Sequence, residues 1–215
     1  MASRQDRSRA PAAAALLHLH CQVAPELRPL LVSYWDEFHL RDLLSLPGFQ
    51  YARRGELIAP DDVAPFVTMY GVASPAAADQ PRPPEFRLMP GELDGRATFH
   101  RRIMRRISPV SGATEPAGSA FLQLHRPLPG GPSSDAATKV KQWPAVISVS
   151  CWESVANDPH TQRPEVVHLG ATELILAELV DEREALTLLA NCAEQLPGWE
   201  ASTYRQAFFA LAQPV

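Results

Sequence analysis

Cysteine is scarce in this chain, and several familiar catalytic motifs are missing. The three cysteines, Cys21, Cys151 and Cys192, are too few and too scattered for a disulfide framework or a thiolate metal site. There is no glycine-rich nucleotide or phosphate loop, no Gly-x-Ser-x-Gly and no Cys-x-x-Cys, which argues against nucleotide-dependent chemistry and serine hydrolysis. No apolar run approaches the roughly 18–20 residues that cross a bilayer. We therefore expect a cytoplasmic protein that does not enter the membrane.

The composition is that of a folded protein without a basic binding surface. Hydrophobic residues make up 46% of the 215 residues and charged residues 20%, so there is enough apolar material for packed cores. A formal net charge of −4 gives no electrostatic reason to expect nucleic acid as a partner. At this length the chain could be one large domain or two modules of about 100 residues.

A strand-like pattern occurs twice in the chain. Leu16–Val23 and Phe121–Arg126 both alternate leucines with polar side chains, which is the period of a β-strand. Each half then reads as β-α-β-β-α-β, the ferredoxin-like plan, whose sheet carries helices on one face only. Because the other face must also be buried, we predict an α+β fold in which two ferredoxin-like repeats pack sheet to sheet as a pseudo-symmetric barrel.

The predicted boundaries follow composition. The repeats cover residues 13–112 and 119–215, and residues 113–118 form a linker between them. Residues 1–12 read as a flexible tail, with a transit peptide as the alternative.

The periodicity also predicts individual elements. Pro25–Leu44 has a helical apolar stripe that Pro47-Gly48 stops, and Asp181–Leu196 has another. The five prolines of Ser74–Pro90 predict a loop with at most a short helix. Gly95–Ile107 is predicted to supply a helix that leads into the last strand of the first repeat.

One segment resembles a known family. Trp35 to Phe49, followed by Ala52-Arg53-Arg54, is similar to the EthD-like branch of the dimeric α+β barrel superfamily, where a helix with a Trp and a His-Leu pair runs into Pro-Gly-Phe and an Arg-containing strand. Phe66 to Tyr70 resembles the strand that follows. The likeness covers about the first half. In the second half, Trp143-Pro144-Ala145-Val146 replaces Leu46-Pro47-Gly48-Phe49, and only the plan matches.

The resemblance implies a barrel of two sheets, usually from two subunits and here from two repeats, although whole chains could also form a homodimer. Members include small cyclases, dehydratases, lyases, cofactor-free monooxygenases and haem enzymes, so the fold does not select a reaction. We expect an acid/base enzyme of cyclase, dehydratase or lyase type, without a redox cofactor, acting on a small aromatic or polyketide-like molecule in the barrel lumen. A haem-binding or non-catalytic ligand-binding protein and a cofactor-free monooxygenase are the alternatives.

Polar residues of the repeated strand are the first site candidates. Alternation places His18, His20 and Gln22 on the lumen face, with Gln123 and His125 at the equivalent places of the second copy. Clustered titratable groups in a cleft mark functional sites, whereas the alternative is a set of hydrogen-bonded core residues. A His-x-His pair on a strand could hold a metal, but no third or fourth ligand is visible at a telling spacing, so we expect none.

Two further residues are candidates for chemistry. His39 matches the family motif and lies towards the carboxyl end of its helix, and we expect it to exchange protons with substrate together with His18 or His20. Tyr70 is predicted to polarise a substrate oxygen.

The remaining candidates would bind substrate. Tyr51 and Arg53 share one strand face with Phe49, and Phe66 and Thr68 share another with Tyr70. If both faces point inward, the lumen suits a flat, partly anionic molecule. The alternative is simple packing, with Arg53 at the surface.

The second repeat is predicted to lack its own catalytic site. Its helix, Asp135 to Trp143, carries no group suited to proton transfer at neutral pH. We expect one working pocket, in the first repeat, with Gln123 and His125 as orienting groups.

Overall fold

The computed structural model describes residues 12–60, 64–107, 118–127, 134–155, 166–168 and 172–212. The strands are β1 Ala15–Val23, β2 Phe49–Ala59, β3 Phe66–Val72, β4 Ala97–Arg106, β5 Ala120–Pro127, β6 Val146–Ser154, β7 Val166–His168, β8 Thr172–Leu179 and β9 Glu200–Leu211. The helices are α1 Arg28–Tyr34, α2 Leu40–Leu44, α3 Pro75–Ala78, α4 Ser134–Lys141 and α5 Ala185–Gln195. A π-helical turn, Trp35–His39, joins α1 to α2.

Eight of the strands close into an antiparallel barrel. The order around the sheet is β1-β3-β2-β9-β5-β8-β6-β4, and β4 pairs again with β1. The short β7 lies outside this ring and pairs in parallel with β4. Closure removes the exposed sheet edges that would otherwise invite aggregation. The predicted α+β barrel is confirmed.

The two halves of the barrel share one strand order. The first half runs β4-β1-β3-β2 and the second β9-β5-β8-β6, so in each half the first strand in the chain lies inside the sheet beside the last one. The halves meet along two seams, β2 with β9 and β4 with β6. The predicted tail and most of the predicted linker lie outside the described residues, so the repeat boundaries stay a prediction.

Buried side chains form three groups, because each sheet is covered on both faces. One group lies between the first-half sheet and the helices α1 and α2, and a second between the second-half sheet and α4 and α5. The third fills the interior of the barrel and includes Leu16, Tyr51, Met69, Phe121 and Trp152.

Two element predictions need correction or refinement. Gly95–Ile107 does not contain a helix, because β4 occupies Ala97–Arg106 and pairs with β1 along its length. The second helix of the first repeat is reduced to α3, whose first turn is capped by the Ser74 hydroxyl accepting from the Ala77 N–H at 3.2 Å. The predicted stop after Leu44 is confirmed, since Gly48 has a φ of +82°, a conformation that favours glycine.

A buried ion pair joins the halves inside the barrel. The Arg53 guanidinium on β2 donates to the Glu178 carboxylate on β8, and both side chains are 1% exposed. The second carboxylate oxygen accepts from the Gly118 N–H at 3.2 Å, and the guanidinium lies 4.0 Å from the centre of the Phe121 ring. Arg53 therefore lies inside the barrel, and the alternative of a surface Arg53 is wrong.

Removing one partner of this pair should destabilise the protein strongly. Glu178→Gln leaves the Arg53 charge buried without a counter-charge, which costs about 3–5 kcal/mol. The control is Arg96→Ala, because the Arg96–Glu26 pair is exposed and such pairs contribute about 0–1 kcal/mol. Urea unfolding measures both. A loss in Glu178→Gln no larger than in Arg96→Ala would contradict this role.

Candidate functional site

A cavity of about 470 Å³ lies outside the barrel, between the first-half sheet and its covering helix. We call it the helix-side pocket. Its floor comes from β1 and β3, its wall from α1, the π-helical turn and α2, and its rim from the loop of residues 79–90. Most of its lining is apolar or aromatic, and the polar lining residues are His39, Thr68, Gln80, Arg82, Arg87 and Arg101, together with the hydroxyls of Tyr34 and Tyr70.

The π-helical turn brings Tyr34 and His39 together. The Leu40 N–H bonds to the Trp35 carbonyl, five residues back, so the helix is wider here than an α-helix. Residues five apart then share one face, and the Tyr34 oxygen lies 3.4 Å from His39 Nδ1. Because the Tyr34 O–H donates to the Arg87 carbonyl at 3.1 Å, its oxygen accepts from Nδ1–H of His39. In a neutral imidazole this tautomer leaves the lone pair on Nε2.

An ion pair fixes this turn on the sheet. Arg54 on β2 donates from Nε and Nη2 to the two carboxylate oxygens of Asp36, at 3.0 and 2.8 Å. A two-point contact of this kind sets orientation as well as distance. Arg54 also donates to Glu56 at 2.8 Å. Asp36 therefore holds the turn that carries His39 at a defined height above β3.

Two buried hydroxyls face the pocket from β3. Thr68 and Tyr70 are each 1% exposed, and neither hydroxyl has a hydrogen-bond partner among the described residues. Burial raises the pKa of the Tyr70 phenol well above its ordinary value, an effect that the positive charge of Arg82 opposes. Tyr70 is thus a neutral O–H donor, and its ring centre lies 6.3 Å from that of His39. Unpartnered buried hydroxyls are costly unless a ligand satisfies them.

The loop over the pocket is held at several points. Gln80 donates to the Pro47 carbonyl at 2.7 Å, and the Arg87 guanidinium lies 3.8 Å from the centre of the Phe38 ring. Arg101 on β4 donates to the Ala78 carbonyl at 3.2 Å. Arg82 and Arg101 both line the pocket, and Arg101 also forms an ion pair with Asp79 at 4.0 Å.

The second half lacks these groups at its equivalent positions. Aligning Trp143-Pro144 with Leu46-Pro47 puts Ala136 where the first half has His39. In the strand registers, Leu17 pairs with Tyr70 and its counterpart Leu122 pairs with Ala177. Ala136 and Ala177 are both buried in the second apolar core. One working pocket per chain stays a prediction.

The predicted strand histidines lie elsewhere, inside the barrel. His18 and His20 on β1 meet His125 on β5 across the lumen, with ring centres 4.8–5.6 Å apart. The Gln123 amide lies between them: its nitrogen is 3.1 Å from His18 Nε2, and its oxygen is 3.0 and 3.2 Å from Nε2 of His20 and His125. We call these three imidazoles the histidine cluster.

These imidazoles are held neutral. Burial lowers the pKa of His18 and of His125 well below the usual value, and the neighbouring histidines and Arg102 lower it further. Burial likewise lowers the pKa of His20 to about 4, although the Gln123 hydrogen bond opposes the shift. The bonding is consistent with neutral rings, because Arg102 Nη1 donates to His125 Nδ1 at 3.3 Å while His125 Nε2–H donates to Gln123.

The structure therefore separates the predicted residues into two places. His39, Thr68 and Tyr70 line the helix-side pocket, so the expectation that β3 sends Thr68 and Tyr70 into the lumen is wrong. Phe66 also faces the helices, in the same apolar core as Tyr70.

The candidates on β1 and β2 also divide. Tyr51 packs in the barrel interior, while Phe49 lies on the helix side because the register shifts between the two residues. Gln22 is exposed at the end of β1, so it lies outside the buried group of His18 and His20. A single pocket combining His39 with His18 or His20 is therefore not what the structure shows.

Sequence reasoning missed Tyr34 and the rim residues Gln80, Arg82 and Arg101. Tyr34 does belong to the helical stripe of Pro25–Leu44, but its hydrogen bond to His39 depends on a π-helical turn that periodicity does not reveal. The rim residues lie in a proline-rich loop and on a strand that was expected to be a helix.

Comparisons with known proteins show the fold. No protein-family model matches the chain, and no curated protein matches it. An anthrone oxidase-like protein of known structure is 12% identical, with a TM-score of 0.59 and 93% of each chain covered. Candidate monooxygenases from Lactobacillus acidophilus NCFM and Fusobacterium nucleatum subsp. nucleatum are 11% and 7% identical, with TM-scores of 0.51 and 0.53. They match over 94% of this chain and 98% and 97% of their own.

These three structures are named as oxidase-like or monooxygenase proteins, not as lyases or cyclases. At such low identity the likeness establishes the α+β barrel, and membership of the EthD-like branch stays a prediction. Among the described helices, none is long and apolar enough to cross a membrane.

Acid should destabilise the protein through the histidine cluster. The unfolded chain binds protons on histidine with a pKa of about 6.5, whereas the folded cluster excludes them. Stability is therefore fully present above pH 6.5 and falls as the pH drops towards 4. In His20→Gln, one of these rings is gone, and the slope of unfolding free energy against pH should decrease by up to about 1 kcal/mol per pH unit. Urea titrations with a chelator present measure it, and equal slopes would contradict the assignment.

Proposed function

We propose that the helix-side pocket is the active site of a monooxygenase that needs no redox cofactor and oxidises a small, flat, phenolic or anthrone-like molecule with dioxygen. The observation that carries the proposal is the pair of buried, unpartnered hydroxyls of Thr68 and Tyr70 beside His39 in an aromatic cavity. The cavity volume of about 470 Å³ lies within the range of small-molecule sites. The names of the structural neighbours favour oxidation over the lyase and cyclase chemistry expected first.

The proposed chemistry begins with proton removal. An acidic C–H or phenolic O–H of the substrate would meet Nε2 of His39, whose tautomer the Tyr34 hydroxyl fixes. Negative charge would develop on a substrate oxygen, and the Tyr70 O–H would stabilise it by donating a hydrogen bond. Thr68 would hold a second oxygen or hydroxyl on the same side, because residues two apart on a strand share a face.

The overall reaction balances without a further reductant. A methylene between aromatic rings is converted to a ketone, dioxygen supplies the carbonyl oxygen, and the second oxygen atom leaves as water. The substrate anion gives electrons to dioxygen, a carbon–oxygen bond forms, and protonated His39 returns its proton to give a hydroperoxide. The O–O bond then breaks as His39 takes the remaining C–H proton. The carbon loses four electrons and dioxygen gains four. His39 then returns this second proton to the departing hydroxide, which leaves as water.

Oxygen uptake tests the proposal directly. With anthrone as the probe, we expect one O₂ consumed per anthraquinone formed, with one ¹⁸O from ¹⁸O₂ in the new carbonyl. His39→Gln should lower kcat by about 10²–10⁴-fold, because general-base catalysis is lost. Tyr70→Phe should lower it by about 10²–10³-fold, because a donor to the developing anion is lost.

The control is His100→Gln. His100 lies on β4 beside His20 and outside the helix-side pocket, so this variant should keep kcat within a few-fold of the parent. Turnover of the probe without oxygen uptake would favour the lyase alternative. Equal activity of His39→Gln and the parent would contradict the proposed base.

A further inference from the structure

The histidine cluster has no part in the proposed chemistry. Leu17 and Leu19 point from β1 into the helix-side pocket, whereas His18 and His20 point to the opposite face of the sheet, inside the barrel. The cluster therefore needs its own explanation. Its members come from both halves of the chain, since His125 belongs to β5.

We propose that His18, His20 and His125 form a binding site for a divalent transition metal ion such as Zn²⁺, which links the two halves of the barrel from within. The sequence offered only the His18-x-His20 pair. The third imidazole reaches it only because closure of the barrel places β5 opposite β1.

The geometry of the three side chains fits an ion. One ligand nitrogen from each residue lies within 4.8 Å of the others. If the three nitrogens are all 4.8 Å apart, the point midway between them lies about 2.8 Å from each nitrogen. An ion at that point would need Zn–N distances of about 2.0–2.1 Å. Each ring must therefore close in by about 0.7 Å, which small side-chain rotations supply. Three imidazoles with a position left for water or another ligand match the ligand preference of Zn²⁺, Cu²⁺ and Ni²⁺.

The Gln123 amide marks where the ion would bind. It contacts Nε2 of all three rings at 3.0–3.2 Å, so the three Nε2 atoms already converge on one place. When an ion replaces the amide hydrogen bonds, the Nε2 protons of His20 and His125 move to Nδ1. The rings stay neutral and offer their lone pairs, and the Gln123 carbonyl oxygen is within reach as a further ligand.

Arg102 opposes the ion. Its guanidinium adds a positive charge next to the cluster and donates to His125 Nδ1, the atom that must carry a proton when Nε2 binds metal. Arg102→Gln removes the charge and offers a carbonyl that accepts from Nδ1–H. This variant should bind Zn²⁺ at least tenfold more tightly than the parent. Zn²⁺ bound by histidines at the surface would not respond to this substitution.

Zn²⁺ titration of the full-length protein tests the site. After treatment with a chelator, the parent should bind one Zn²⁺ per chain, and its thermal midpoint should rise by about 5–10 °C at a hundredfold excess over Kd. His20→Gln and His125→Gln should lose this shift, whereas His39→Gln should keep it because that residue lies in the other pocket. Oxygen uptake is not measured, so the result does not depend on the proposed function.

A second measurement covers variants that fail to fold. Copper EPR or zinc X-ray absorption on the parent counts imidazole ligands, and we expect three. Absence of a thermal shift in the parent, an undiminished shift in folded His125→Gln, or fewer than three imidazoles would each overturn the proposal.

Discussion

A ferredoxin-like sheet has helices on one face only, and its second face has to be buried against something else. Here the two halves bury that face against each other, and the closed ring of eight strands follows from it. Closure brings β1 opposite β5 and puts Arg53 beside Glu178, although these two residues are 125 apart in the chain. The barrel interior, the buried ion pair and the histidine cluster all depend on this one constraint.

The helix-covered faces of the two sheets do not take part in this closure, and their side chains differ between the halves. In the second half, small or apolar side chains such as Ala136 and Ala177 let α4 and α5 pack directly on the sheet. In the first half, a π-helical turn and a proline-rich loop leave a cavity, and polar groups face into it. The first half therefore has room for a ligand between its sheet and its helices.

Strand alternation predicted the faces of β1 correctly. His18 and His20 point into the barrel while Leu17 and Cys21 lie under the helices, because the two faces of that strand differ in polarity. It did not predict the faces of β3, where every residue from Phe66 to Val72 is buried and no polar side marks one face.

The site itself was only partly predictable. The family motif pointed to His39. The hydrogen bond between His39 and Tyr34 depends on a π-helical turn, which a sequence pattern does not show. The meeting of His125 with His18 depends on the register of an entire closed sheet. The candidate residues were thus largely identified, whereas their division between two separate places was not.

We propose that the ligand site lies on the helix side of the first half and not in the barrel interior. A crystal structure of the protein soaked with anthraquinone, the product of the proposed reaction, tests it most directly. We expect one molecule per chain, lying between the π-helical turn and β3, with a ring oxygen within hydrogen-bond distance of the Tyr70 hydroxyl. A molecule bound inside the barrel at the histidine cluster, or on the helix side of the second half, would contradict it.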